Sequence, residues 1–304
     1  MAELPKLEIK SIFYIVYEFL KLIRYKNILI IVITQILSYY FLSPLIGIDD
    51  ILSKRFLLLI SATFLSAAAG YIINDYMDVK LDMVNKPKAV IIGKNISRRW
   101  AILLHSGFNM LAIYLAWQIS YRVAGLVFTC SLLLWMYSQY FKKSYLLGNL
   151  LVALMTASTI IILIPFDENT NIYACIAYSL FAFFSNLIRE IIKDTEDMRG
   201  DSKFNAKTLP IKLGIRKTKT ILNYLQIIFI ASCIFLVYLF PIISSTNYFI
   251  WFCIYMLALV IIPSIYSLYL IWNADTKKHF TKLSFLSKLI MIFGVISMVF
   301  WRVL

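Results

Sequence analysis

Charge is scarce in this chain: 15% of its 304 residues are Asp, Glu, Lys or Arg, against about 25% in a soluble domain. Histidine is limited to His105 and His279, and the four cysteines (Cys130, Cys175, Cys233, Cys253) lie inside apolar runs without metal-type spacing. That pattern argues against a disulfide framework or a zinc site, and the cysteines read as packing residues. The first 25 residues carry Glu3, Glu8 and Glu18 and lack a short apolar core with a small-residue cleavage site, so no cleaved leader is expected. What remains is oily. Hydrophobic residues make up 61% of the chain and the mean hydropathy is +0.80, the composition of an integral membrane protein.

A spanning helix needs about 20 mostly apolar residues. Nine such runs centre near 27–46, 56–73, 100–118, 121–140, 146–165, 172–188, 220–240, 246–271 and 284–301. A single long helix over 100–140 is the alternative there, but "SYRVAG" (Ser120 to Gly125) reads as a tight turn between two spans. Lysine and arginine test the count, because short cytoplasmic segments retain positive charge. With the N-terminus inside, the inside segments hold 26 basic residues and the outside ones 4. Nine spans, a cytoplasmic N-terminus and an external C-terminus follow. The same distribution accounts for the net charge of +14 without nucleic acid: a basic face meets anionic lipid and anionic substrates.

Acid is clustered on that same inner side. Of 16 carboxylates, three lie in 75–82 and five in 190–201 (Glu190, Asp194, Glu196, Asp197, Asp201). In "NDYMDVKLD" (Asn74 to Asp82) and "KDTEDMRGD" (Lys193 to Asp201), aspartates take the second, fifth and ninth places. At about 100° per residue each set falls on one helical stripe. Like charges at i,i+3 and i,i+4 repel, so two such stripes need a compensating cation. Oxygen ligands suit Mg²⁺, which takes one or two carboxylates plus substrate phosphate, whereas zinc favours His and Cys. Solvated acidic helix ends are the plainer reading of one run; two runs with identical spacing favour the metal and hint at an internal repeat relating helices 2 and 6. Such a pair of stripes fits the ionisation of an allylic diphosphate, where fixed metal charge stabilises the leaving group. Apolar helices would keep the carbocation from water.

These motifs resemble those of the UbiA superfamily of intramembrane prenyltransferases: N-D-x-x-D-x-x-x-D after helix 2 (Asn74, Asp75, Asp78, Asp82) and D-x-x-x-D after helix 6 (Asp197, Asp201), extended by Asp194. "RYKN" (Arg24, Asn27), "YSQYFKK" before "GNLLVA" (Tyr137, Lys142, Asn149) and "GDSKFNAKTLPIKLG" add to the resemblance. One departure is "NKPKAVIIG" (Asn85 to Gly93), where many members carry "N-K-P-x-R-P-I-P-S-G"; Lys88 is the nearest candidate for the missing arginine. The resemblance implies an all-α polytopic fold, nine transmembrane helices around a central cavity. It would form one domain over 1–304, with cytoplasmic cap loops 74–99 and 189–219.

By the same resemblance Asn74, Asp78, Asp82, Asp197 and Asp201 would hold Mg²⁺, with Asp75 and Asp194 supporting. Lys142 and Lys193 would touch the donor diphosphate, and Arg24, Asn27 and Lys88 would line the same polar end. Plain flanking charge is the competing reading of Arg24, Lys142 and Lys143, while His105 reads as a core histidine and His279 as a loop residue. The partners implied are a prenyl diphosphate donor, the membrane, and a lipid or aromatic acceptor. The tract "REIIKDTEDMRGD…TLPIKLG" looks most like the branch that prenylates geranylgeranylglyceryl phosphate, and the motif loops carry 15 basic residues for two phosphate groups. The alternative is an aromatic acceptor of quinone biosynthesis, of hydroxybenzoate, naphthoate or homogentisate type. A transporter would place charge within its spans rather than at their ends, and a non-catalytic lipid-binding protein would have no use for matched acidic stripes.

Overall fold

The computed structural model describes residues 9–43, 46–85, 90–142, 144–202, 207–243 and 248–302. The described residues are almost wholly helical. Nine helical stretches among them are long and apolar enough to cross a membrane, and each coincides with an expected span. Many of their large apolar side chains are exposed, among them Met110, Trp117, Ile228, Phe235 and Trp272. In water so many exposed apolar groups would drive association; in a bilayer they face lipid. The chain divides into two compact units, the first running to Val32 and over Leu58–Gln139, the second comprising Ile33–Leu57 and Tyr140–Leu304.

The first unit begins with α1 (Ile9–Leu22), at 14 residues too short to span and outside the expected spans. A turn at Arg24 leads to α2 (Tyr25–Leu42), of which residues up to Val32 belong here. The four-residue α3 (Ile48–Ile51) and the first turn of α4 (Lys54–Asn85) belong to the second unit; from Leu58 on, α4 carries the first motif here, followed by α5 (Arg98–Trp117) and α6 (Tyr121–Met136). Small residues let helices approach closely in the membrane. Thus a Cβ at Gly70 on α4 would lie 2.9 Å from Leu134 on α6, and Ser66 and Ser131 join these helices at 3.0 Å. Ser120 caps α6 by accepting from the Val123 N–H at 3.2 Å, so residues 100–140 form two helices and Tyr121 is already helical. Leu22, Ile23, Ile28, Ile72, Val79 and Ile92 form a buried core around the motif end of α4. A tight turn completes that core: the Gly93 N–H donates to Ile96 O at 2.7 Å, and its φ of +91° is one that L side chains rarely adopt.

In the second unit, α7 (Leu147–Ile161), the short α8 (Leu163–Phe166) and α9 (Ile172–Asp201) are followed by α10 (Leu209–Ile243). Then come α11 (Phe249–Met256), α12 (Ile262–Trp272) and α13 (Lys277–Ile296). Helix α9 is the hub, packed against α7, α10 and α13. Its first half is anchored by fully buried Tyr178, whose hydroxyl lies 2.8 Å from Ser297 Oγ and accepts from Trp301 Nε1 at 3.0 Å. Helix α10 starts about a turn and a half before Gly214, whose φ of 78° kinks it, and so begins ahead of the expected span at 220–240, because Lys212, Arg216 and Lys217 interrupt the apolar pattern without ending the helix.

Two further expectations are corrected. The segments 74–99 and 189–219 are not loops throughout, since α4 persists to Asn85 and α9 to Asp201, so both motifs stand on helices. His279 lies in the first turn of α13, where its Nδ1 accepts from the Asp275 N–H at 3.2 Å. His105 is half-buried and its ring is satisfied: Nδ1 is 3.0 Å from Ala69 O, and Asn109 is in contact with the ring.

Candidate active site

In the first unit the motif occupies the last three turns of α4. Asn74 and Asp78 are buried, Asp75 and Asp82 half-buried. Asp75 Oδ1 accepts from Arg24 Nη2 at 3.0 Å and from Asn74 Nδ2 at 3.3 Å. The Arg24 guanidinium also stacks over Tyr71 at 5.1 Å, one turn earlier on α4. Arg24 has a backbone φ of 52°, and among the described residues it is the sole non-glycine with positive φ. Such strain persists where surrounding structure holds it, and clusters at functional sites. Here the strained turn between α1 and α2 aims the charge at the motif. Arg98 stacks over Tyr76 at 4.4 Å, adding a second cation to this end of α4. Asn27 is exposed in the first turn of α2. Lys88 lies outside the described residues.

In the second unit the motif occupies the end of α9. Asp194 Oδ2 accepts from Asn149 Nδ2 at 2.8 Å, and two turns deeper Asn186 Nδ2 donates to Thr156 Oγ1 at 2.8 Å. These two rungs join antiparallel α7 and α9. Asp197 is half-exposed with Lys277 Nζ 3.8 Å from Oδ1, and Glu196 Oε1 accepts from Thr281 Oγ1 at 2.8 Å. Lys193 is exposed; Asp201 ends the helix, its side chain outside the described residues. Lys142 is half-buried and follows a π-helical turn, Tyr137–Phe141, of the kind that re-aims side chains near functional sites. Ser144 tightens the chain beyond it, donating to Phe141 O at 2.6 Å and accepting from the Gly148 N–H at 3.1 Å.

The donor set around both motifs is oxygen alone, the chemistry of Mg²⁺ rather than zinc. Among the described residues no three His, Cys, Asp or Glu side chains converge closely enough to form a metal cluster. Two of the carboxylates are met by positive groups instead, Asp75 by Arg24 and Asp197 by Lys277, which offset the like-charge repulsion along each stripe. Each stripe offers the all-oxygen donor set that a divalent ion takes, and such an ion would supply the same compensation.

Sequence reasoning did not single out Lys277, Thr281, Arg98, Thr156 or Asn186, and quoted Asn149 without a role. The signal for Asn149 and Asn186 is an amide inside an otherwise apolar span, which by default marks a functional position. Lys277 carries no such signal, because it is one of four lysines in a basic segment.

Comparison with known proteins adds the context. Residues 32–289 match the UbiA prenyltransferase family. The chain is 31% identical over 236 residues to a digeranylgeranylglyceryl phosphate synthase of Methanosphaera stadtmanae, covering 77% of this chain and 83% of that one. The corresponding protein of Methanobrevibacter smithii is 32% identical over 269 residues, covering 85% and 89%. A solved structure described as concerning digeranylgeranylglyceryl phosphate synthase in membranes superposes with a TM-score of 0.78 at 25% identity, covering 95% and 98%. A UbiA homologue from Archaeoglobus fulgidus bound to GPP and Mg²⁺ shares the fold, with a TM-score of 0.62 at 17% identity, covering 92% and 99%. Family match, extended relatives and motif placement agree: the chain belongs to the UbiA prenyltransferase family.

Proposed function

We propose that the protein transfers a polyprenyl group from an allylic diphosphate to the free hydroxyl of geranylgeranylglyceryl phosphate, forming an ether lipid in a Mg²⁺-dependent reaction. The observation that carries the acceptor is the set of relatives named digeranylgeranylglyceryl phosphate synthase, 31–34% identical over 77–85% of this chain. Asn74, Asp75, Asp78 and Asp82 on α4 would hold Mg²⁺, and so would Asp194, Asp197 and Asp201 on α9. When bound, Mg²⁺ would supply positive charge against the departing diphosphate. Arg24, Asn27, Lys88, Lys142 and Lys193 bind phosphate oxygens. The apolar helices exclude water, which would otherwise trap the cation. An alcohol is a weak nucleophile, so it attacks once the C–O bond to diphosphate has largely broken, and its proton is lost as the ether forms. That demands an acceptor held within roughly 3–3.5 Å of the allylic carbon.

Purified protein with Mg²⁺ and geranylgeranyl diphosphate is expected to alkylate geranylgeranylglyceryl phosphate, read out as the ether product by mass spectrometry. Transfer to a hydroxylated benzoate or naphthoate with no ether product would refute the acceptor and move the chain to the quinone-forming branch.

The motif ends of α4 and α9 face the cytoplasm in this reading, as does the N-terminus, supported by the 26 to 4 division of basic residues. In a cysteine-free background, Lys94→Cys and Lys207→Cys should resist an impermeant thiol reagent in intact cells, while Glu168→Cys should react. All three positions are exposed, so protection would report sidedness rather than burial. Reaction of Lys207→Cys from outside would invert the topology.

A further inference from the structure

Lys277 reaches the second motif from the opposite end of the second unit's sequence, 80 positions beyond Asp197. Its backbone is held in place by two neighbours. Thr281, one turn on, donates to Glu196 Oε1 at 2.8 Å, and Lys219 on α10 donates to Asp275 Oδ1 at 3.1 Å, fixing the chain just before α13. Its ammonium, by contrast, lies on a flexible four-carbon stem, 3.8 Å from Asp197 Oδ1. The two side chains are 64% and 50% exposed, so their attraction is screened and the pair contributes little to folding. A fixed base and a weakly held charge describe a group that can change partners.

We propose that Lys277 is a binding residue for the donor diphosphate which, before metal arrives, takes the metal's place on Asp197. The proposal rests on the reading of Asp197 as a metal ligand. A divalent cation on Asp197 repels the ammonium, which must then leave that carboxylate. An ion held by Asp197 would bring donor phosphate to the end of α9, beside the Lys277 ammonium that lies 3.8 Å from Asp197 Oδ1. Lysine serves phosphate as a mobile point charge. Lys277 thereby opposes metal binding in the absence of donor and favours donor binding once metal is present. It couples the two ligands.

The consequence is a pair of effects with opposite sign. In Lys277→Gln protein without donor, Mn²⁺ affinity measured by electron paramagnetic resonance in detergent should rise about two- to fivefold, the range of an exposed pair. In turnover assays the donor KM should rise by a similar factor while the acceptor KM stays constant. Lys277→Arg should retain both wild-type values within about twofold, and Lys278→Gln, which removes the adjacent charge, should change neither. Weaker Mn²⁺ binding in Lys277→Gln would show that the lysine merely braces the motif and would overturn the proposal. An unchanged donor KM would overturn it too, leaving the metal assignment intact. Failure of the wild-type protein to bind Mn²⁺ at all would overturn the metal reading itself, and this proposal with it.

Discussion

Asp197→Ala should lower kcat by at least about a hundredfold while leaving the protein folded. The first half of that expectation comes from the transition state: ionising the allylic diphosphate concentrates negative charge on the leaving group. Removing one element of preorganised electrostatic support typically costs 10²–10³ in rate. The second half comes from the fold. Asp197 is half-exposed near the end of α9, and its partner in the structure is an exposed lysine, so its loss sacrifices about 0.2–1 kcal/mol at most. Asp78→Ala should be equally severe for turnover. Asp78 is buried, however, so its thermal unfolding needs to be followed alongside, and Asp78→Asn is the shape-conserving companion. Near wild-type turnover of Asp197→Ala at saturating Mg²⁺ would remove the second motif from the metal site. Asp75→Ala and Asp194→Ala should be milder, because Arg24 and Asn149 already bond these carboxylates directly.

The largest structural effect is expected at Gly294. A Cβ there would overlap Cζ of Phe181 on α9 and two more atoms of its ring. The ring cannot retreat, since Phe181 is buried and its other side meets Phe229 of α10, centroids 5.2 Å apart. Gly294→Ala therefore forces α13 away from the hub helix and should destabilise the protein by about 3 kcal/mol, the upper part of the overpacking range. Trimming the obstacle should restore fit: Phe181→Leu in the Gly294→Ala background should recover part of the loss, a coupling of about 0.5–3 kcal/mol. Thermal unfolding of the four proteins in one detergent measures the cycle. A Gly294→Ala protein as stable as its parent would contradict this contact.

Hydropathy, charge bias and motif spacing were enough to read nine spans and both acidic stripes, because each is a local property of the chain. A span is a run of apolar residues, and a stripe follows from helical periodicity within nine positions. Local patterns failed in predictable places. The 14-residue α1 lies below spanning length, and the helical continuation through 74–85 and 189–201 was hidden because polarity marks the end of an apolar run, not the end of a helix. The basic start of α10 was lost for the same reason.

The sequence alone thus determined membrane insertion, the number of spans and the oxygen-rich chemistry of the motifs. Tertiary structure decided which groups compensate that chemistry. Arg24 meets Asp75 across 51 positions, Asn149 meets Asp194 across 45, and Lys277 meets Asp197 across 80. No spacing rule encodes such pairs. They depend on how far α4 and α9 run beyond the apolar zone, on the strained turn at Arg24, and on close approaches such as Gly294 to Phe181. Each arises from packing between segments distant in sequence, where the shape of one helix sets the partner of another.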